Sequence, residues 1–291
     1  MIRITHIINP VKVSPKSDLF VAQPVTFETM RRAKEFAKKD VDVNLLSTCY
    51  EEDTDIIPEY FAQTENLDRS ILDFDDFTVK RKLPLLRDIL DRAVAHDAAA
   101  DYIIYTNVDI AVMPHFYLFV KQKIEEGHDA FVINRRTISN TYTLETLDSA
   151  YGDYGEDHPG FDCFVFKKSA YEEYQLGKIC IGTTRIGLVF IANLMMNSDS
   201  FHVFKKEHLT FHIGEDRIWE NKDLNDYVEF NEKEAIHVLE HFVENKAEKF
   251  QEHDMLERYY LSLISKGKSN NTVGDNHEKH TLFKRIINKL K

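Results

Sequence analysis

Two polar residues interrupt an apolar run in the stretch DYIIYTNVDIAVMP, residues 101–114. Ile103, Ile104 and Tyr105 lead into Asn107 and Asp109, and apolar residues resume up to Pro114. A carboxylate at such a place suits a hard divalent cation, because Mg²⁺ is usually held by one or two carboxylates together with substrate phosphates. A cation there neutralises charge on a departing diphosphate. If the strand continues through the segment, residues two apart point to one face, so amide and carboxylate converge on one site. The competing account is local: Asp109 caps a turn before Pro114, and Asn107 bonds to nearby backbone.

The elements around this segment have to place it at the end of a sheet. IRITHIINPV alternates and is rich in Ile, which predicts a first strand ending near Pro10. PVTFETMRRAKEFAKK predicts a helix, with Pro24 and Thr26 at its start and basic residues in its last turn. VDVNLLSTC reads as a second strand, and residues 51–76 as acidic loops with short helical turns. KLPLLRDILDRAVAH is amphipathic, with Leu86, Ile89, Leu90 and Ala93 on one side. Beyond Pro114 come a helix stopping at Gly127, a strand DAFVINRR and a polar Tyr- and Gly-rich loop. Then follow a strand FDCFVFKK, an apolar helix TRIGLVFIANLMMN and a short strand HLTFHIG. Strands alternating with helices predict an α/β fold: an open, mixed but mostly parallel, Rossmann-like sheet flanked by helices. Ligands of such sheets bind beyond the carboxyl ends of the strands, where Asn107 and Asp109 fall.

Three regions follow from composition. Residues 1–242 form the α/β domain, 243–265 a C-terminal helical extension, and 266–291 a polar linker with a basic amphipathic helix. From His280 onward there are four Lys or Arg residues and no acids, with Leu282, Phe283, Ile286, Ile287 and Leu290 on one helical face. That pattern suits either an anionic membrane surface or packing against protein. The chain of 291 residues carries a net charge of -12, which argues against a general nucleic-acid binder. Cys49, Cys163 and Cys180 include no CxxC pair and suit reduced thiols. No run is long enough to span a membrane, and the N-terminus reads as a strand, not a signal peptide. The expected location is cytoplasmic, with the inner membrane face as a peripheral option.

A strand followed by Asx-x-Asp, an apolar residue and a proline resembles the DxD segment of nucleotide-sugar glycosyltransferases of the GT-A fold. The resemblance extends over roughly residues 1–240: RKLPLLRDIL precedes the segment, DAFVINRR follows it, and HPGFDCFVFKKSAY and LTFHIGEDRIW come in the family's order. It implies transfer of a sugar from a nucleotide-diphosphate donor to a hydroxyl of a glycan or lipid-linked acceptor. Carried over by position, Asp109 would hold the metal and diphosphate, Asn107 the ribose or metal, and His212 would be a second metal ligand. The cofactor would be Mn²⁺ or Mg²⁺, and imidazole favours Mn²⁺. Asp162 would be the general base for the acceptor hydroxyl. Arg81 and Lys82 would meet the donor phosphates, and Asn9 and Pro10 the base. Asn134 and Arg135 would be donor-binding residues beside the site, with one residue of each pair Arg81/Lys82 and Arg135/Arg136 facing solvent. Asn107 departs from the pattern, since an amide ligates a metal without bringing charge. The loop AYGDYGEDHPG has the rings and glycines of an acceptor lid, and equally the composition of a solvated loop.

Two other classes compete. A nucleotidyltransferase can share the fold class, but NPVKVSPKSD lacks the glycines of a triphosphate-binding first loop. A non-catalytic nucleotide- or sugar-binding relative is supported by Asn107.

Overall fold

The Ile-rich start of the chain forms β1 (Ile2–Ile8), followed by α1 (Leu19–Ala37), β2 (Val41–Ser47) and a short β3 (Ala62–Gln63). The acidic region between β2 and the next helix contains the 3₁₀ turns Glu51–Ile56 and Ile71–Asp73, as its composition predicts. Then come α2 (Leu86–His96), β4 (Tyr102–Thr106), β5 (Ala111–Val112), α3 (Phe116–Glu125), β6 (Ala130–Ile133) and β7 (Arg136–Ile138). The second half holds α4 (Leu147–Ala150), β8 (Glu156–Asp157), β9 (Cys163–Lys167), α5 (Ile186–Asn197), β10 (Phe201–Phe204) and β11 (Thr210–Ile213). It ends with α6 (Asn225–Asn245), α7 (Ala247–Gln251) and α8 (Asp254–Asn270). The computed structural model describes residues 1–214 and 224–270, with side chains through 265. The basic segment 280–291 and the EDRIW of the late motif lie outside the described residues.

Seven strands make one sheet in the order β10-β6-β9-β4-β1-β2-β3. β1 pairs in parallel with both β2 and β4, so the chain turns to opposite sides of β1 and creates a switch point. β9 runs antiparallel to β4 and β6, which makes the sheet mixed. A second sheet, β5-β11-β7-β8, stands beside its carboxyl end.

Alternate residues of the strands feed two cores. Ile103, Tyr105, Val132, Phe164 and Phe166 meet apolar faces of α2, α5, α6 and α8. Ile4, Ile104, Phe131, Ile133 and Val165 meet α1 and α3 on the other face. This two-sided cover explains why the strands read as nearly continuous apolar runs. The boundary placed at 242 falls within α6, whose Leu239, Phe242 and Val243 share the first core with Leu256 and Tyr260 of α8. Among the described residues no helix is long and apolar enough to cross a membrane.

One boundary differs from the sequence expectation. α1 begins at Leu19, not at Pro24, and Pro24 lies inside it. Pro24 forgoes its bond to the Phe20 carbonyl, but the helix continues because Val25, Phe27 and Met30 are buried.

A histidine sits at the centre of the sheet. His6 is fully buried, with Nδ1 at 2.9 Å from the Tyr117 hydroxyl and Nε2 at 3.0 Å from Thr106 Oγ1. Burial lowers its pKa from 6.5 to about 3. Between those values the unfolded chain binds more protons than the folded one, so stability falls as pH drops from 6.5. Urea unfolding is expected to show wild type losing about 2 kcal/mol more than His6→Gln between pH 6.5 and pH 5. Equal losses in the two proteins would refute a neutral buried His6.

Candidate active site

The carboxyl ends of β1, β2 and β4 open into a cleft of about 540 Å³. Asn9, Tyr50 and Asn107, just beyond those three strands, all line it. Six of the residues singled out in the sequence meet here: Asn9, Arg81, Lys82, Asn107, Asp109 and His212.

The central segment is a turn, not a continuing strand. β4 stops at Thr106, and the Ile110 N–H donates to the Asn107 carbonyl at 3.1 Å. Asn107 thus opens a β-turn, a place Asn favours, and the same-face geometry expected of a strand does not apply. The turn still delivers both side chains to the cleft. Asn107 Oδ1 accepts from the Tyr105 hydroxyl at 3.1 Å. That occupies one of the two lone pairs of this oxygen and leaves the amide N–H groups as donors.

His212 reaches Asp109 from the small sheet. β11 pairs antiparallel with β5 just after the turn, Phe211 opposite Ala111, and parallel with β7, His212 opposite Thr137. His212 Nε2 lies 3.2 Å from Asp109 Oδ2, and Nδ1 lies 2.6 Å from the Gly214 carbonyl. Gly214 has φ +74, a conformation glycine adopts without strain. Acceptors face both ring nitrogens, an arrangement that favours the charged imidazolium. Burial opposes that charge on His212, but the hydrogen bond and charge of Asp109 prevail and raise its pKa. Burial likewise opposes the Asp109 carboxylate, but His212, with Arg135, holds its pKa below the usual range. Asp109 Oδ1 is buried and has no hydrogen-bond partner among the described residues.

Asp162 arrives by the antiparallel course of β9. Cys163 lies opposite both Thr106 and Ile133, which sets Asp162 beside the β4 and β6 ends. Asp162 is 7% exposed and does not line the cleft. Its Oδ1 accepts from Arg135 Nη1 at 3.3 Å, and its Oδ2 has no hydrogen-bond partner among the described residues. Burial raises its pKa, against the opposing charge of Arg135. Arg135 and Asn134, expected among the donor-binding residues, do not line the cleft. Arg135 is buried against Asp162, and Asn134 Nδ2 donates to the His158 carbonyl at 3.3 Å. Strand geometry sends the adjacent Arg136 elsewhere, where it donates to the Tyr154 and Gly155 carbonyls and pairs with Asp157. With β8 paired on β7, those bonds pin the loop suggested as a lid.

At the entrance, Lys82 Nζ pairs with Glu52 at 2.7 Å and lies 3.8 Å from the centre of the Tyr50 ring. Asn9 Nδ2 donates to the Thr48 carbonyl at 2.7 Å, tying the ends of β1 and β2 together. Pro10 is buried and does not itself line the cleft. Residues not singled out include Lys12, Tyr50, Glu52 and Asp53, which all line it. Asp53 accepts from the Lys12 backbone at 2.7 Å and fixes the loop after β1. The signal for them was position: they follow β1 and β2 at the end where α/β sheets bind ligands. Among the described residues no three His, Cys, Asp or Glu side chains converge as a metal site.

Sheet order, flanking helices and cleft position define a fold of the GT-A type. Among solved structures, the fragment 1–349 of S. aureus TarS in complex with UDP matches with a TM-score of 0.53 at 9% identity, covering 95% of this chain and 77% of that one. A longer S. aureus TarS structure matches with a TM-score of 0.50 at 8% identity, covering 89% of this chain and 43% of that one. This chain therefore spans less than half of the longer TarS chain, and at these identities the likeness is one of fold. No protein-family model and no curated protein sequence matches the chain.

Proposed function

We propose that the protein is a glycosyltransferase that moves a sugar from a nucleotide-diphosphate donor to a hydroxyl of a glycan or lipid-linked acceptor. The carrying observation is the pairing of Asp109 with His212 in the same cleft as Arg81 and Lys82. UDP, bound by the TarS fragment of like fold, is the first donor nucleotide to test. The basic segment 280–291 would bring the protein to an anionic membrane where lipid-linked acceptors lie.

Asp109 and His212 fit a divalent cation. Their facing atoms are 3.2 Å apart. The Nδ1 bond to Gly214 gives His212 the backing that metal-bound imidazoles usually have. Asp109 Oδ1 offers a second, unpartnered oxygen. When bound, Mn²⁺ or Mg²⁺ would supply charge to the leaving diphosphate. His212 would hold the ion through Nε2 in its neutral form. Arg81 and Lys82 add positive charge to the cleft lining, and Asn107 donates its amide N–H to the ribose or phosphate.

Asp162 is the base in this scheme. Its Oδ2 is free of hydrogen bonds from described residues, and burial raises its proton affinity. Asp162 does not line the cleft, so this role requires the acceptor hydroxyl to bind beyond the present lining.

The test is calorimetric titration with UDP, CDP, GDP and ADP, with and without Mn²⁺. At least one nucleotide is expected to bind, and more tightly with Mn²⁺. Absence of binding by all four would remove the proposal.

A further inference from the structure

The sequence places Arg81 beside the phosphates but offers nothing to hold it there. The structure assigns that task to α6, an element with no residue in the cleft lining. Tyr227, Asn231 and Glu234 recur at the spacing of one helical face. Each reaches a backbone segment leading into a cleft wall.

Tyr227 holds the wall that carries Arg81. Its side chain is 1% exposed, and its ring stacks on Phe77 at 4.0 Å between centroids and 7° between planes. Its hydroxyl donates to the Val79 carbonyl at 2.7 Å and accepts from the Arg81 N–H at 2.8 Å. One oxygen therefore fixes the backbone on both sides of Lys80. The preceding residue of α6 adds a bond, since Asp226 accepts from the Thr78 N–H at 2.7 Å.

Asn231 holds the neighbouring segment, whose Ile181, Gly182 and Thr183 also line the cleft. It donates to the carbonyls of Cys180 and Thr184 at 2.8 and 2.9 Å, and accepts from the Cys180 N–H at 3.1 Å. Glu234 accepts from the Lys178 N–H at 2.8 Å. The two segments also bond to each other, Leu86 N–H to Ile179 and Ile181 N–H to Pro84, both at 2.9 Å. The apolar face of α6 is meanwhile locked into the sheet core through Val238, Leu239 and Phe242.

We propose that Tyr227 is a positioning residue for the donor. Its hydroxyl sets the path of residues 79–81, from which the Arg81 guanidinium meets the donor phosphates. This rests on the cleft being a nucleotide site. A buried ring alone would stabilise the fold. A hydroxyl spent on two backbone groups of one loop specifies the shape of that loop.

The experiment is a double-mutant cycle read by UDP titration in the presence of Mn²⁺, on wild type, Tyr227→Phe, Arg81→Ala and the double variant. Tyr227→Phe keeps the stacked ring, and is expected to weaken UDP roughly tenfold. In the Arg81→Ala background it is expected to change nothing further, because the group it positions is gone. A Tyr227→Phe protein that binds UDP as wild type does overturns the positioning role and leaves the cleft reading intact. Full additivity of the two losses also overturns it, since a general loosening of the fold acts without Arg81. Failure of wild type to bind UDP, CDP, GDP or ADP overturns both proposals. Should Tyr227→Phe not fold, Asp226→Ala takes its place in the cycle. It removes the neighbouring bond to Thr78, and the same cancellation by Arg81→Ala is expected.

Discussion

Asp109→Asn is expected to abolish the Mn²⁺ dependence of nucleotide binding and to lower sugar transfer at least about 10²-fold, a barrier increase of roughly 2.7 kcal/mol. The substitution keeps the size of the side chain and one oxygen facing His212, so the turn 107–110 should persist. It removes the negative charge that offsets a divalent cation. It also removes the charge that, with the hydrogen bond, raises the pKa of His212. The neutral imidazole then remains as a donor of one lone pair, too little to hold Mn²⁺ beside a nucleotide. Two measurements check this: UDP titration with and without Mn²⁺, and turnover of the matching UDP-sugar. If the variant keeps the full Mn²⁺ enhancement, the ion is held elsewhere and the assignment of Asp109 fails.

Arg135→Met should cost about 3–5 kcal/mol of stability, because it leaves the Asp162 carboxylate buried without its counter-charge. The pair is nearly enclosed, with side-chain exposures of 7% and 9%. In such a place the attraction does little more than offset the cost of taking two charges out of water. The double replacement Arg135→Met with Asp162→Leu is therefore expected to cost less than Arg135→Met alone. Urea unfolding of the three variants and wild type checks this ordering. The same variants separate two roles for Arg135. The sequence placed it among the donor-binding residues, whereas the structure keeps it off the cleft lining. UDP affinity unchanged in Arg135→Met supports the structural position, and a tenfold loss would return Arg135 to the donor.

Much of the architecture could be read without coordinates. Apolar strands bounded by polar ends and amphipathic helices announced an α/β sheet, because a strand covered on both faces has to be apolar throughout. The end of β4 was legible as a candidate site for the same reason: polar side chains there sit where the sheet stops and its cover opens. Pairings between distant strands were not legible. His212 and Asp109 are 103 residues apart. Only the β11–β5 register brings them to 3.2 Å.

Adjacent residues show the limit most clearly. Arg135 and Arg136 are identical in type, and no periodicity says which turns inward. The register puts one against Asp162 and the other across the loop at 154–157. The same holds for Asn107. The sequence supplied an amide in place of a carboxylate, and the turn with its Tyr105 contact decided which end of that amide faces a ligand.

By itself, then, the sequence determined the layered α/β class, the strand ends that bear polar chemistry, and a strong candidate in Asp109. These follow from local properties: hydrophobic period, turn residues and charge. The tertiary structure alone decided that β9 runs antiparallel and that His212 closes on Asp109. It also decided that Asp162 is paired with Arg135 and that Tyr227 holds the loop of Arg81. Each of these depends on which backbone lies beside which. That is fixed by the packing of two cores over the whole chain, and no short stretch of residues contains it.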